Sequence, residues 1–107
     1  MPFYLIQASY SAPAVGAMVK NPQDRGEAIR PMMEKLGCKL HGFWFTFGEY
    51  DIVAVAEAPD SVTVAAIAMA IGSTGAMSAY RTTPLLTTRD ATEAMKRAAE
   101  VGYQPPK

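Results

Sequence analysis

The side chains of this sequence best equipped for chemistry sit on or beside apolar runs that read as strands. Glu57 closes the run Ile52-Val53-Ala54-Val55-Ala56-Glu57. A carboxylate buried in a strand either finds a donor or rises in pKa, and a raised carboxylate can take a proton from a ligand. The alternative is a wet strand-end carboxylate, or one paired with Arg81, Lys39 or Gln7. Trp44 offers a flat ring and one N–H donor, which suits a pocket wall as well as a core or interface position. His41 is the single histidine. It could act as a general base or a haem ligand, or stand solvated at a strand end. A zinc-type site needs three or four ligands. Cys38 and His41, three residues apart in a strand, project to opposite faces and cannot chelate together, so no metal or cofactor is expected. Tyr50 and Asp51 fall in a loop: Asp51 can brace a turn through backbone hydrogen bonds, and Tyr50 can pack over a cavity mouth or across an interface. Arg81, beside Tyr80, could bind an anion or pair at a dimer edge.

Other familiar chemistry is missing. Gly72-Ser73-Thr74-Gly75 lacks the lysine and spacing of a phosphate loop and follows a helix where such a loop precedes one. With one histidine and no nucleophile elbow, no Ser-His-Asp arrangement assembles.

These residues need a scaffold. Cys38 to Phe47 and Asp51 to Ala58 are rich in aromatic and β-branched residues, joined by Gly48-Glu49-Tyr50-Asp51. That pattern predicts a hairpin with a four-residue loop, in which Phe47 faces Ile52. Alternation then places Phe43, Phe45, Phe47, Ile52, Ala54 and Ala56 on one face, and Trp44, Thr46, Val53, Val55 and Glu57 on the other. The alanines suit a face under helices. The mixed face suits a cavity.

Phe3 to Tyr10 reads as a first strand, apolar on both faces, and Met77 to Leu86 as a fourth, with Pro84 marking an edge. Between the first two strands lies helical territory from Ser11 to Gly37. Ser11 caps one helix there, Asn21-Pro22 starts another, and Gly37 ends it. Pro31 predicts a kink, or a helix that begins nearer Arg30. Asp60 caps a helix to about Ile71. Thr87 or Thr88 caps a last one, with Ala91, Ala94, Met95, Ala98 and Val101 on one face. The order is βαββαβ plus a C-terminal helix, an α+β ferredoxin-like arrangement. The first and third strands are central in it. Helices cover one face only, so a second copy is expected on the other.

The Gly48-x-Tyr50-Asp51 pattern, preceded by aromatics and followed by an apolar strand, resembles the GYD domain family. The resemblance spans nearly the whole chain, as one domain over residues 1–107, and is tightest from Gly37 to Pro59. It implies a dimeric α/β barrel, two sheets packed face to face, and hence a homodimer or larger homo-oligomer. No reaction comes with it.

Composition narrows the function classes. With 107 residues the chain makes about one domain. Ten basic and ten acidic residues cancel, so no basic patch draws it to nucleic acid or an anionic membrane. A single cysteine allows no intrachain disulfide and suits a reducing compartment. The first residues carry no basic region and do not read as a signal peptide. The apolar run from Val62 to Ile71 falls short of the ~20 residues of a span. A cytoplasmic protein is expected. Three readings follow: a homodimer binding a small, partly apolar ligand beneath Trp44; a small cofactor-free enzyme, monooxygenase- or isomerase-like, using Glu57 or His41 for proton transfer; and an assembly module with a solid barrel.

Overall fold

Strands apolar on both faces belong in the middle of a sheet, and two such strands form the middle here. β1 (Phe3–Tyr10) and β3 (Ile52–Glu57) pair centrally, with β2 (Lys39–Phe45) and β4 (Met77–Leu85) as edges. The order β2-β3-β1-β4 is antiparallel throughout, as a ferredoxin-like α+β fold requires. This computed structural model describes residues 1–107.

Four helices complete the chain: α1 (Ala12–Lys20), α2 (Arg25–Lys35), α3 (Ser61–Gly72) and α4 (Thr88–Val101). Their starts follow capping chemistry. Ser11, Asp24, Asp60 and Thr87 each accept a backbone N–H of the first turn. The cap of α2 is therefore Asp24 and not Asn21, because its carboxylate reaches the Glu27 N–H at 3.0 Å. Pro31 lies inside α2, so the helix does not begin near Arg30. Gly37, with φ +79°, turns the chain out of α2 in the left-handed region that glycine occupies without strain.

The hairpin differs from expectation. Its loop is Thr46 to Asp51, and Phe45, not Phe47, stands opposite Ile52. The Thr46 N–H donates to the Asp51 carbonyl at 2.7 Å, and the Thr46 hydroxyl donates to the Tyr50 carbonyl, which close the longer loop. Phe47 is fully exposed. The slip is two residues, an even number, so the face assignments survive it. Further along, His41 is an extra residue: Leu40 pairs with Ala56 and Gly42 with Val55. This β-bulge lets Leu40 join Ala56 on the helix face.

One cluster forms the core, built from Tyr4, Met33, Cys38, Leu40, Ala54, Ala56, Ala58 and Ile67. Small alanines on β3 let α2 and α3 approach the sheet. The opposite face carries no helix, and its apolar residues Phe3, Leu5, Val53 and Val55 are only half-buried. α4 also lacks a cover. None of its residues is buried, and the radius of gyration of 17.3 Å exceeds the ~13 Å of a compact domain this long.

Candidate functional site

The hairpin loop is fastened to the end of β1. Asp51 accepts the Tyr10 N–H on Oδ2 at 2.9 Å, and its own N–H donates to the Ala8 carbonyl at 3.0 Å. Asp51 thus braces the loop, as a turn aspartate can. Tyr50 holds the Thr46 hydroxyl through its carbonyl. Above them the Tyr10 and Phe45 rings stack with centroids 6.0 Å apart.

The register lays out the open face in rows. Trp44, Val53, Gln7 and Arg81 form one row across the sheet, and Gly42, Val55, Leu5 and Thr83 the next. Trp44 bends back over the second row: a Cβ built on Gly42 would fall within its indole ring. The ring therefore lies over bare backbone. A third row joins Lys39, Glu57, Phe3 and Leu85. There Glu57 Oε1 meets His41 Nε2 at 3.5 Å, and Phe3 stacks on the imidazole at 5.4 Å. Arg81, four residues along and two strands across from Glu57 and so about 16 Å away, makes no ion pair with it. The sheet thus gathers Trp44, Gln7 and Arg81 in one row and His41 with Glu57 in another, with Tyr50 and Asp51 apart in the loop. No three His, Cys, Asp or Glu side chains converge as a metal would need.

A partly open cavity lies on the other face of the sheet, between α2 and α3. It holds about 280 Å³ and is lined by Ile29, Met32, Phe43, Ile67, Ile71 and Met77 among others. None of the seven residues above lines it. Its polar groups are Arg25, Thr74 and the hydroxyls of Tyr10 and Tyr80. Burial pushes the Tyr10 phenol up, against the pull of the Arg25 guanidinium, and burial likewise raises Tyr80. Both hydroxyls keep their protons at neutral pH and can donate. Such a space can enclose a small apolar molecule and meet a polar end with a few donors. The helix periodicity marks Ile29 and Met32 as inward-facing. It does not reveal that α2 and α3 leave the space between them unfilled.

A profile described as the GYD domain matches residues 4–95. The chain belongs to the GYD domain family. In this GYD domain the aspartate of the signature ties loop to sheet, and the glycine and tyrosine lie in the loop it secures. A curated relative, the "Glutamine synthetase and cystathionine beta-lyase binding protein" of Thermus thermophilus, is 27% identical over 77 residues, covering 72% of this chain and 81% of the relative. No solved structure matches. No helix of the domain is long and apolar enough to cross a membrane.

Proposed function

We propose that this GYD-domain protein is a cytoplasmic, homodimeric binding protein that holds a small, partly apolar ligand between α2 and α3. The cavity of about 280 Å³ carries this reading, because a concave, mainly apolar space with a few polar groups is the usual form of a small-molecule site. Xenon tests it, since apolar cavities admit such probes. Under xenon pressure the methyl signals of Ile29, Met32, Ile67 and Ile71 should shift. Shifts confined to Leu5, Val53 and Val55, or none at all, would refute the cavity site.

The homodimer rests on the open sheet face, where Leu5, Val53 and Val55 lie uncovered beside Trp44. Sedimentation at micromolar concentration should find no monomer. A folded, stable monomer would remove the face-to-face barrel.

A second reading is docking on another protein, favoured by the exposed rings of Trp44, Phe45 and Phe47 at and beside the loop. Aromatic side chains dominate interface hot spots. The name of the Thermus relative makes glutamine synthetase and cystathionine β-lyase the first partners to try. Titrating each purified enzyme against the wild-type protein and a Trp44→Ala, Phe47→Ala variant decides it: equal binding, or none by the wild type, rejects this surface. Proton transfer by Glu57 and His41 remains a rival to both, and loss of a catalysed turnover in Glu57→Gln would be its signature.

A further inference from the structure

The cavity is not chemically uniform along its length. The antiparallel topology brings the end of β1, the start of β4, the start of α2 and the end of α3 to one end of the sheet. Tyr10, Met77, Arg25 and Thr74 occupy those positions, and all four line the cavity. Away from that end the lining is Met33, Leu40, Ala54 and Ile67, which are buried and apolar. One end thus offers donors and the remainder hydrocarbon.

Arg25 is the single charged group of the lining, and no carboxylate lines the cavity to balance it. It belongs to none of the ion pairs of the chain. Its Nη1 donates to Gln23 Oε1 at 2.7 Å. A guanidinium carries five N–H donors in a rigid fork, so beyond its bonds to Gln23 and to the Tyr10 oxygen it keeps donors for a planar anion. The Tyr10 phenol stands beside it, its oxygen bonded to the guanidinium and its own O–H available as a further donor. Asp51, the carboxylate nearest Tyr10, is engaged by the Tyr10 backbone N–H and lies outside the lining.

We infer that the ligand is a small amphipathic carboxylate, its head on Arg25 and the Tyr10 hydroxyl and its hydrocarbon tail between α2 and α3. This inference rests on the cavity being a ligand site. The 280 Å³ lies near the lower end of small-molecule pockets, about 300–1,000 Å³, and so suits a ligand of few non-hydrogen atoms. That is the size of a medium-chain fatty acid or a simple aryl carboxylic acid. An amino acid of equal length is disfavoured, because its ammonium would lose water with no carboxylate in the lining to receive it. A phosphate or sulfate alone would leave the apolar depth unused.

The test uses the full chain and three probes of equal carbon count: hexanoate, 1-hexanol and norleucine. Binding is read from the methyl signals of Ile29, Met32, Ile67 and Ile71 by NMR titration. Hexanoate should bind about 10- to 100-fold more tightly than 1-hexanol, the ratio expected of a hydrogen bond to a charged group. Norleucine should be weaker than hexanoate by a similar factor. Arg25→Gln should weaken hexanoate to the level of 1-hexanol while leaving 1-hexanol unchanged, and Arg25→Lys should restore part of the loss. Arg25 begins a surface helix and the Asp24 cap is untouched, so the variant folds; its unperturbed spectrum without probe checks this. Equal affinity for the acid and the alcohol, or an Arg25→Gln variant with undiminished hexanoate binding, overturns the carboxylate assignment and leaves the cavity site standing. If neither hexanoate nor 1-hexanol moves these methyls, the carboxylate assignment and the cavity site both fall.

Discussion

Replacing Asp51 separates bracing from binding in the motif that gives the family its name. Its carboxylate accepts the half-buried Tyr10 N–H at 2.9 Å, and its backbone closes both the loop and the β1 end. Asp51→Ala keeps the backbone bonds and removes only the carboxylate. A hydrogen bond to a charged group contributes about 1.5–3 kcal/mol, and the Tyr10 N–H would be left without its partner. For a domain of this size a loss of about 2 kcal/mol lowers Tm by about 8–16 °C. Asp51→Asn retains an acceptor oxygen without the charge and should cost about half as much. Urea titration followed by Trp44 fluorescence measures both, at one fixed protein concentration because assembly alters apparent stability. Amide exchange at Tyr10 should quicken in the alanine variant. If Asp51→Ala lies within about 0.5 kcal/mol of wild type, the range of an ordinary surface substitution, the bracing argument is wrong.

Other expectations can be checked in the same assays. Phe45 is 52% exposed, so Phe45→Ala should cost about half of the 3–5 kcal/mol of a buried aromatic, and Phe47→Ala almost nothing; equal costs would contradict the register. Ile67→Ala should lose about 2–5 kcal/mol in urea titration, as a core truncation does. Gly42→Val must push the Trp44 ring off the sheet, and an unchanged tryptophan emission spectrum would show that the ring does not lie there. Burial pushes the Cys38 thiol up, so its reaction with a disulfide reagent at pH 8 should be at least about tenfold slower in the folded protein than in urea.

The strand order was readable in the sequence because only two strands, Phe3–Tyr10 and Ile52–Glu57, are apolar on both faces. The faces of the hairpin were readable for a less secure reason. The Gly48–Asp51 pattern predicts a loop two residues shorter than the one that forms, and an odd difference would invert every side chain. The longer loop is closed by the bonds of Thr46 to Tyr50 and Asp51 and held by a tertiary one: Asp51 reaches Tyr10, which lies 41 residues away in the chain. The helix starts followed their capping residues, except where Asn21-Pro22 imitated a cap that Asp24 supplies. The cavity was hidden for another reason. Ile29, Met32 and Ile67 have the spacing of core residues whether or not the helices close over the sheet. Arg25 gave no sign of its position, since only the antiparallel topology brings it beside Tyr10.

The extra residue at position 41 also bears on how this chain can change length. Two steps along β2, from Leu40 to Gly42, match one step along β3, from Ala56 to Val55. Deleting His41 would leave Leu40 and Gly42 as neighbours against those same partners, with every flanking side chain on its present face. Deleting Phe43 would instead swap sides for everything between it and the nearest compensation. Among relatives, single-residue gaps in this strand should therefore gather at position 41. Where they occur, Glu57 loses its imidazole neighbour and Phe3 its stacked ring in the same event, so that corner of the open face is gained or lost as one unit.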